Sequence, residues 1–113
     1  PDTSRLDETV GYVVIEAGLQ SLGGQTLLAG LGADIVEGVT KAAPYSYSLS
    51  GLSTASTAVV SQVAMDGTDG SWGLLTGATP VSATTLGVAV DEDQLGDAER
   101  AHVTEQVAYL VFQ

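Results

Sequence analysis

The densest chemistry in the sequence is the run Asp91-Glu92-Asp93-Gln94-Leu95-Gly96-Asp97-Ala98-Glu99, five carboxylates and one glycine in nine residues. Calcium takes about six to eight oxygen ligands on a turning backbone, and alternating acids in a loop supply them. On that chemistry Asp91, Asp93, Asp97 and Glu99 are the expected calcium ligands. The spacing is not that of an EF-hand, because Gly96 precedes the third of these acids and no glutamate stands at the twelfth position. Read without a metal, the run is a solvated acidic tip that keeps sheet edges apart.

A second constellation surrounds the lone tryptophan. Trp72 follows Asp66-Gly67-Thr68-Asp69-Gly70-Ser71, a polar, glycine-bearing stretch. Carbohydrate sites set an aromatic face against the C–H surface of a sugar and short polar groups against its hydroxyls. Trp72 with Asp66 and Asp69 has that chemistry. The alternative is that Trp72 fills the core, as tryptophans in β-sandwiches do.

Catalysis finds little support. His102 is the single histidine and no cysteine occurs, which removes thiolate nucleophiles and zinc–thiolate sites along with disulfides. Many serines compete for His102, and no Gly-x-Ser-x-Gly elbow favours one of them. His102 is therefore expected to be structural, at the approach to the last strand. The acids lie in loops and termini rather than at converging strand positions, so a paired-carboxylate hydrolase is not indicated. Gly23-Gly24 and Gly30-x-Gly32 match neither a P-loop nor a dinucleotide fingerprint. The chain reads as a non-enzyme.

Fourteen acids against three bases give a formal charge of −11. Phosphate backbones and anionic lipid repel such a surface. The charge serves solubility, and with Lys41 as the lone lysine it also suits a salty habitat. The 113 residues amount to one module, 1–113. No apolar run approaches the roughly 20 residues of a membrane helix, so no membrane insertion is expected. The opening Pro1-Asp2-Thr3-Ser4 carries no export signal, which leaves any such signal upstream or removed.

The elements that must position these residues are strands. Val, Thr, Ser, Gly and Ala dominate, and turn clusters recur about every ten residues. Strands are predicted at 10–16, 33–39, 45–49, 58–65, 72–75, 80–90 and 106–112. The strand at 58–65 is expected to be central and to stop at Asp66-Gly67. In 45–49, Tyr45, Tyr47 and Leu49 share one face and are expected in the core. Residues 20–31 read as a loop with at most a short strand, since their glycines each weaken a helix by about 1 kcal/mol. About seven short strands with regular turns predict an all-β fold, a single antiparallel β-sandwich.

The two ends echo each other. Glu8-Thr9-Val10-Gly11-Tyr12-Val13-Val14-Ile15-Glu16 aligns without gaps to Glu105-Gln106-Val107-Ala108-Tyr109-Leu110-Val111-Phe112-Gln113, at an offset of 97 residues from Glu16 to Gln113. An echo at one module length suggests a tandem array. Two ordinary buried strands paired across one core would give the same pattern. Tyr12 and Tyr109, at matching positions, are expected to be structural.

Residues 45–112 resemble the H-type lectin domain and its bacterial relatives. The likeness rests on Ala58-Val59-Val60-Ser61-Gln62-Val63, the Asp-Gly loop, and Thr79-Pro80-Val81-Ser82-Ala83-Thr84-Thr85-Leu86-Gly87-Val88-Ala89-Val90. It ends on the acidic loop followed by His102-Val103-Thr104-Glu105-x-Val107-Ala108-Tyr109-Leu110. Residues 8–18 resemble a further piece of such modules. The resemblance implies a small β-sandwich, a secreted or cell-surface setting in large bacterial proteins, and binding of a polysaccharide or glycan. Asp66 or Asp69 would stand for the acid of the sugar clasp. The family's central arginine has no counterpart, because no arginine occurs between Arg5 and Arg100. The function expected is a non-catalytic carbohydrate-binding module. The alternative is a structural or adhesion repeat whose partners are neighbouring copies, with a homo-oligomer as one outcome.

Overall fold

A computed structural model describes residues 7, 9–96 and 98–113. Asp97, one of the four expected calcium ligands, and Glu8 lie outside the described residues. The seven strands are β1 (Gly18–Leu22), β2 (Gln25–Leu31), β3 (Tyr45–Ser48), β4 (Thr57–Gln62), β5 (Ser71–Leu75), β6 (Thr85–Glu92) and β7 (Val107–Phe112). They form two antiparallel sheets, β1-β2-β7-β4 and β3-β6-β5. The all-β expectation holds.

The core lies between the sheets. Tyr47, Leu49, Leu86, Val88, Val90, Val107 and Val111 are buried there with Val36, and Tyr45, Val60, Leu75 and Tyr109 pack against them. Alternation along β7 turns Val107, Tyr109 and Val111 inward. The Tyr47 and Tyr109 rings meet 6.0 Å apart, and the Tyr47 hydroxyl donates to the Ala33 carbonyl at 2.8 Å. Glycines within β2 and just after it make room for the rings. A Cβ on Gly30 would come within 2.4 Å of the Tyr109 ring, and one on Gly32 within 1.9 Å of the Tyr47 ring.

Four expectations need correction. Residues 20–31 are not a loop: they belong to a hairpin, β1 and β2, whose turn is Gly23-Gly24 with both glycines at positive φ. The leucines of this stretch sit on strands whose partners fix them, so tertiary pairing overrides weak local propensity. β4 is not central but ends the order of its sheet. It lies beside β5 of the other sheet. Residues 33–39 make only isolated bridges, Val36 to Glu105 and Gly38 to Val90, and so tie the two sheets together at one side. Finally, residues 10–16 form no strand, and Tyr12 is 86% exposed. Tyr12 therefore lies outside the core, whereas Tyr109 packs against it.

Gly18, at φ +111°, starts β1 directly after Ala17. Val13, Ile15 and Ala17 border a groove of about 350 Å³ on the four-stranded sheet, lined there by Leu31, Val59 and Leu110 among others.

Candidate functional site

One end of the sandwich is organised around His102. Glu92 closes β6, and alternation turns it inward beside the core. Glu105 stands two residues before β7, held by paired backbone hydrogen bonds with Val36: its amide donates at 2.8 Å and its carbonyl accepts at 3.3 Å. His102 sits between the two acids. Its Nδ1 is 2.6 Å from Glu92 Oε2 and its Nε2 is 2.9 Å from Glu105 Oε1. All three residues are buried, Glu105 completely.

The same Glu105 oxygen accepts the backbone N–H groups of Asp66 at 2.9 Å and Gly67 at 3.3 Å. Gly67 must be glycine for this approach, since a Cβ would lie 2.3 Å from the imidazole Cε1. Ser71 Oγ, at the start of β5, lies 3.2 Å from His102 Nε2 and accepts from Gln62 Nε2 at 2.8 Å. A buried carboxylate, a histidine and a glutamine thus fasten the 66–71 loop from beneath. Glu105 Oε2 is buried with no hydrogen-bond partner among the described residues, so the arrangement is not free of cost.

Burial opposes a charged imidazole, but the hydrogen bonds to Glu92 and Glu105 outweigh it and raise the His102 pKa above its ordinary value. Burial likewise opposes a charged Glu105, yet His102 and the Gly67 and Asp66 amides outweigh it and lower the carboxyl below its ordinary range. The ion pair is therefore the favoured state.

Ser71, His102 and Glu92 fall in the order nucleophile, base and orienting acid. The chemistry of a hydrolytic triad does not follow. A general base needs Nε2 free to accept the serine proton, and here Nε2 faces the Glu105 carboxylate, to which it donates. The amides of Asp66 and Gly67 are likewise given to the same carboxylate. The geometry is that of a clamp.

Trp72 follows on β5, its position paired with Asp91 of β6. Alternation that turns Ser71 toward His102 turns Trp72 outward, and it is 48% exposed. Trp72 is not a core residue. Asp66 and Asp69 are exposed in the loop before it, where Asp69 Oδ2 accepts from Thr68 Oγ1 at 3.3 Å.

The expected calcium ligands are placed apart in role. Asp91 belongs to β6, not to a loop. It is nearly buried and is gripped in bidentate fashion by Arg100, whose Nε donates to Oδ1 at 2.6 Å and whose second nitrogen reaches Oδ2. Arg100 holds this carboxyl below its usual range. Asp93 Oδ1 accepts the Leu95 amide at 3.1 Å, and Glu99 Oε2 accepts the Ala101 amide at 2.9 Å. Among the described residues, no three His, Asp or Glu side chains are grouped to hold a metal ion.

Sequence reasoning missed Glu92, Glu105, Ser71 and Gln62. A usable signal was present in His102-x-x-Glu105: an acid heading an apolar run, three residues from the one histidine. Comparisons with protein-family models, with curated proteins and with solved structures find no match to this chain. No helix among the described residues is long and apolar enough to cross a membrane.

Proposed function

We propose that this module binds carbohydrate, with Trp72 as the stacking platform and Asp66 and Asp69 as acceptors for sugar hydroxyls. The observation that carries the reading is the outward, half-exposed Trp72 directly following a loop fastened by a buried ion pair. Sugar recognition gains from polar groups fixed before the ligand arrives, because ordering them on binding costs affinity. The clamp fixes the 66–71 backbone and leaves the acids free to face a ligand. The likeness to H-type lectins read from the sequence of residues 45–112 supports this reading, and a secreted or cell-surface setting is proposed with it.

The test is a glycan array and affinity electrophoresis against algal and bacterial polysaccharides, with and without calcium. Retarded migration that Trp72→Ala abolishes, with the melting temperature kept, is the expected result. No binding by the intact chain in either condition overturns the reading.

A second reading is a structural repeat unit whose partners are neighbouring copies. The observation that favours it is the segment 10–15, which has no strand partner among the described residues and in which Val10, Tyr12, Val13 and Val14 are exposed.

A further inference from the structure

We infer that residues 8–16 are the closing strand of a second copy of this sandwich, built to fill there the slot that β7 fills here. This deepens the repeat-unit reading and is independent of sugar binding.

The argument comes from setting the echo on the β7 register. In β7 the inward positions are Val107, Tyr109 and Val111, and their counterparts are Val10, Tyr12 and Val14. All three are identical. The outward positions are Ala108, Leu110 and Phe112, and their counterparts Gly11, Val13 and Ile15 all differ. Convergence of two generic strands would not sort identity by face. A shared core does, because inward side chains must match fixed neighbours while outward ones need only suit a strand. Glu105, the buried anchor of the clamp, is matched by Glu8, so the segment carries the polar anchor of the slot as well as its apolar side chains.

The slot itself is specific. β7 lies between β2 and β4, with Tyr109 opposite Gly30 on one side and Val60 on the other. The ring occupies space that any side chain on residue 30 would fill. A tyrosine at the third strand position is what this geometry requires, and Tyr12 stands at that position. In its own chain the segment makes no use of these features. Tyr12 is 86% and Val14 87% exposed, and the β7 slot is already filled by residues 107–112. The inward side chains of the segment therefore suit a sandwich other than the one described here.

The test is a fusion in which residues 1–104 run directly into residues 8–113. The first sandwich then has only residues 8–16 to close it, while the second is complete. Two folded modules are expected, with a heat of unfolding about twice that of the single chain, since unfolding enthalpy scales with the residues ordered. Tyr12→Asp with Val14→Asp at the junction should abolish the first module and spare the second. The same pair in the single chain should leave its melting temperature unchanged.

The companion variant is the single chain carrying Ala108→Gly, Leu110→Val and Phe112→Ile, which writes the strand of the segment into β7. It should fold with the spectrum of the parent. A first module that is digested away while the second resists protease, or a companion variant that does not fold, overturns the inference. If the single chain self-associates in light scattering while the fusion leaves its first module unfolded, the repeat-unit reading stands and this one falls.

Discussion

Residues 107–112 and 10–15 carry the same three inward side chains in two surroundings. The first is a central strand with neighbours on both sides, its valines at 107 and 111 fully buried. The second has no strand partner among the described residues, and Val10, Tyr12, Val13 and Val14 stand in solvent. Both are strand-like in composition, and what separates them is the presence of a slot: Gly30 and Gly32 leave room for two rings, and Val60 stands on the far side. Burial of β-branched residues follows from available partners, and a strand-like sequence without them stays open.

The largest effect that could break the comparison is at the head of β7. Glu105→Ala leaves His102 charged against one acid and strips the Asp66 and Gly67 amides of their acceptor. Breaking such a buried pair costs about 3–5 kcal/mol, so chemical denaturation should show most of the stability lost. Next, Tyr109→Ala should cost about 3 kcal/mol, as for other large core aromatics. Tyr12→Ala should stay within about 0.5 kcal/mol. Equal losses at the two tyrosines would mean that the N-terminal segment is part of this core after all.

A smaller effect comes from added volume. Gly30→Ala drives a methyl into the Tyr109 ring and should cost about 1–3 kcal/mol. At Gly11 a Cβ meets nothing within 4 Å, and Gly11→Ala should be silent in the same thermal melts.

The smallest effect is in pH. His102 is raised in the fold, so its stabilisation is complete below its unfolded value of roughly 6.5 and is lost as pH rises through the folded value. Glu105 is lowered, so its stabilisation holds above roughly pH 4.3 and is lost as pH falls through the folded value. The clamp therefore contributes most between about pH 4.3 and 6.5, and stability should decline on both sides. His102→Gln should flatten the alkaline decline. Amide hydrogen exchange, corrected for intrinsic rates, should register these changes in β7 and not in residues 10–15.

The fold class was legible because alternation in β3 and turn dipeptides such as Asp66-Gly67 are local signals. The hairpin of β1 and β2 was hidden because Leu27, Leu28, Ala29 and Leu31 show no period: this strand is apolar on both faces, and such a run does not declare its element. The echo marked residues 10–15 as strand-like, but only the structure shows that they have no strand partner among the described residues. At the candidate site, Trp72 and its loop stood out by composition. The clamp did not, because Glu92 on β6 meets the His102–Glu105 stretch only when the two sheets pack. The acidic run pointed to calcium by density alone, whereas Arg100, nine residues along, claims the first of its carboxylates.

Ala17 alone separates the N-terminal segment from β1, and Gly18 makes the corner. Modules joined through that corner would have no slack between them. Spacing and tilt would pass from one copy to the next as in a jointed rod. A pull along such a rod would load the ladders of β1 and β7 lengthwise, so that many hydrogen bonds resist together instead of opening one by one.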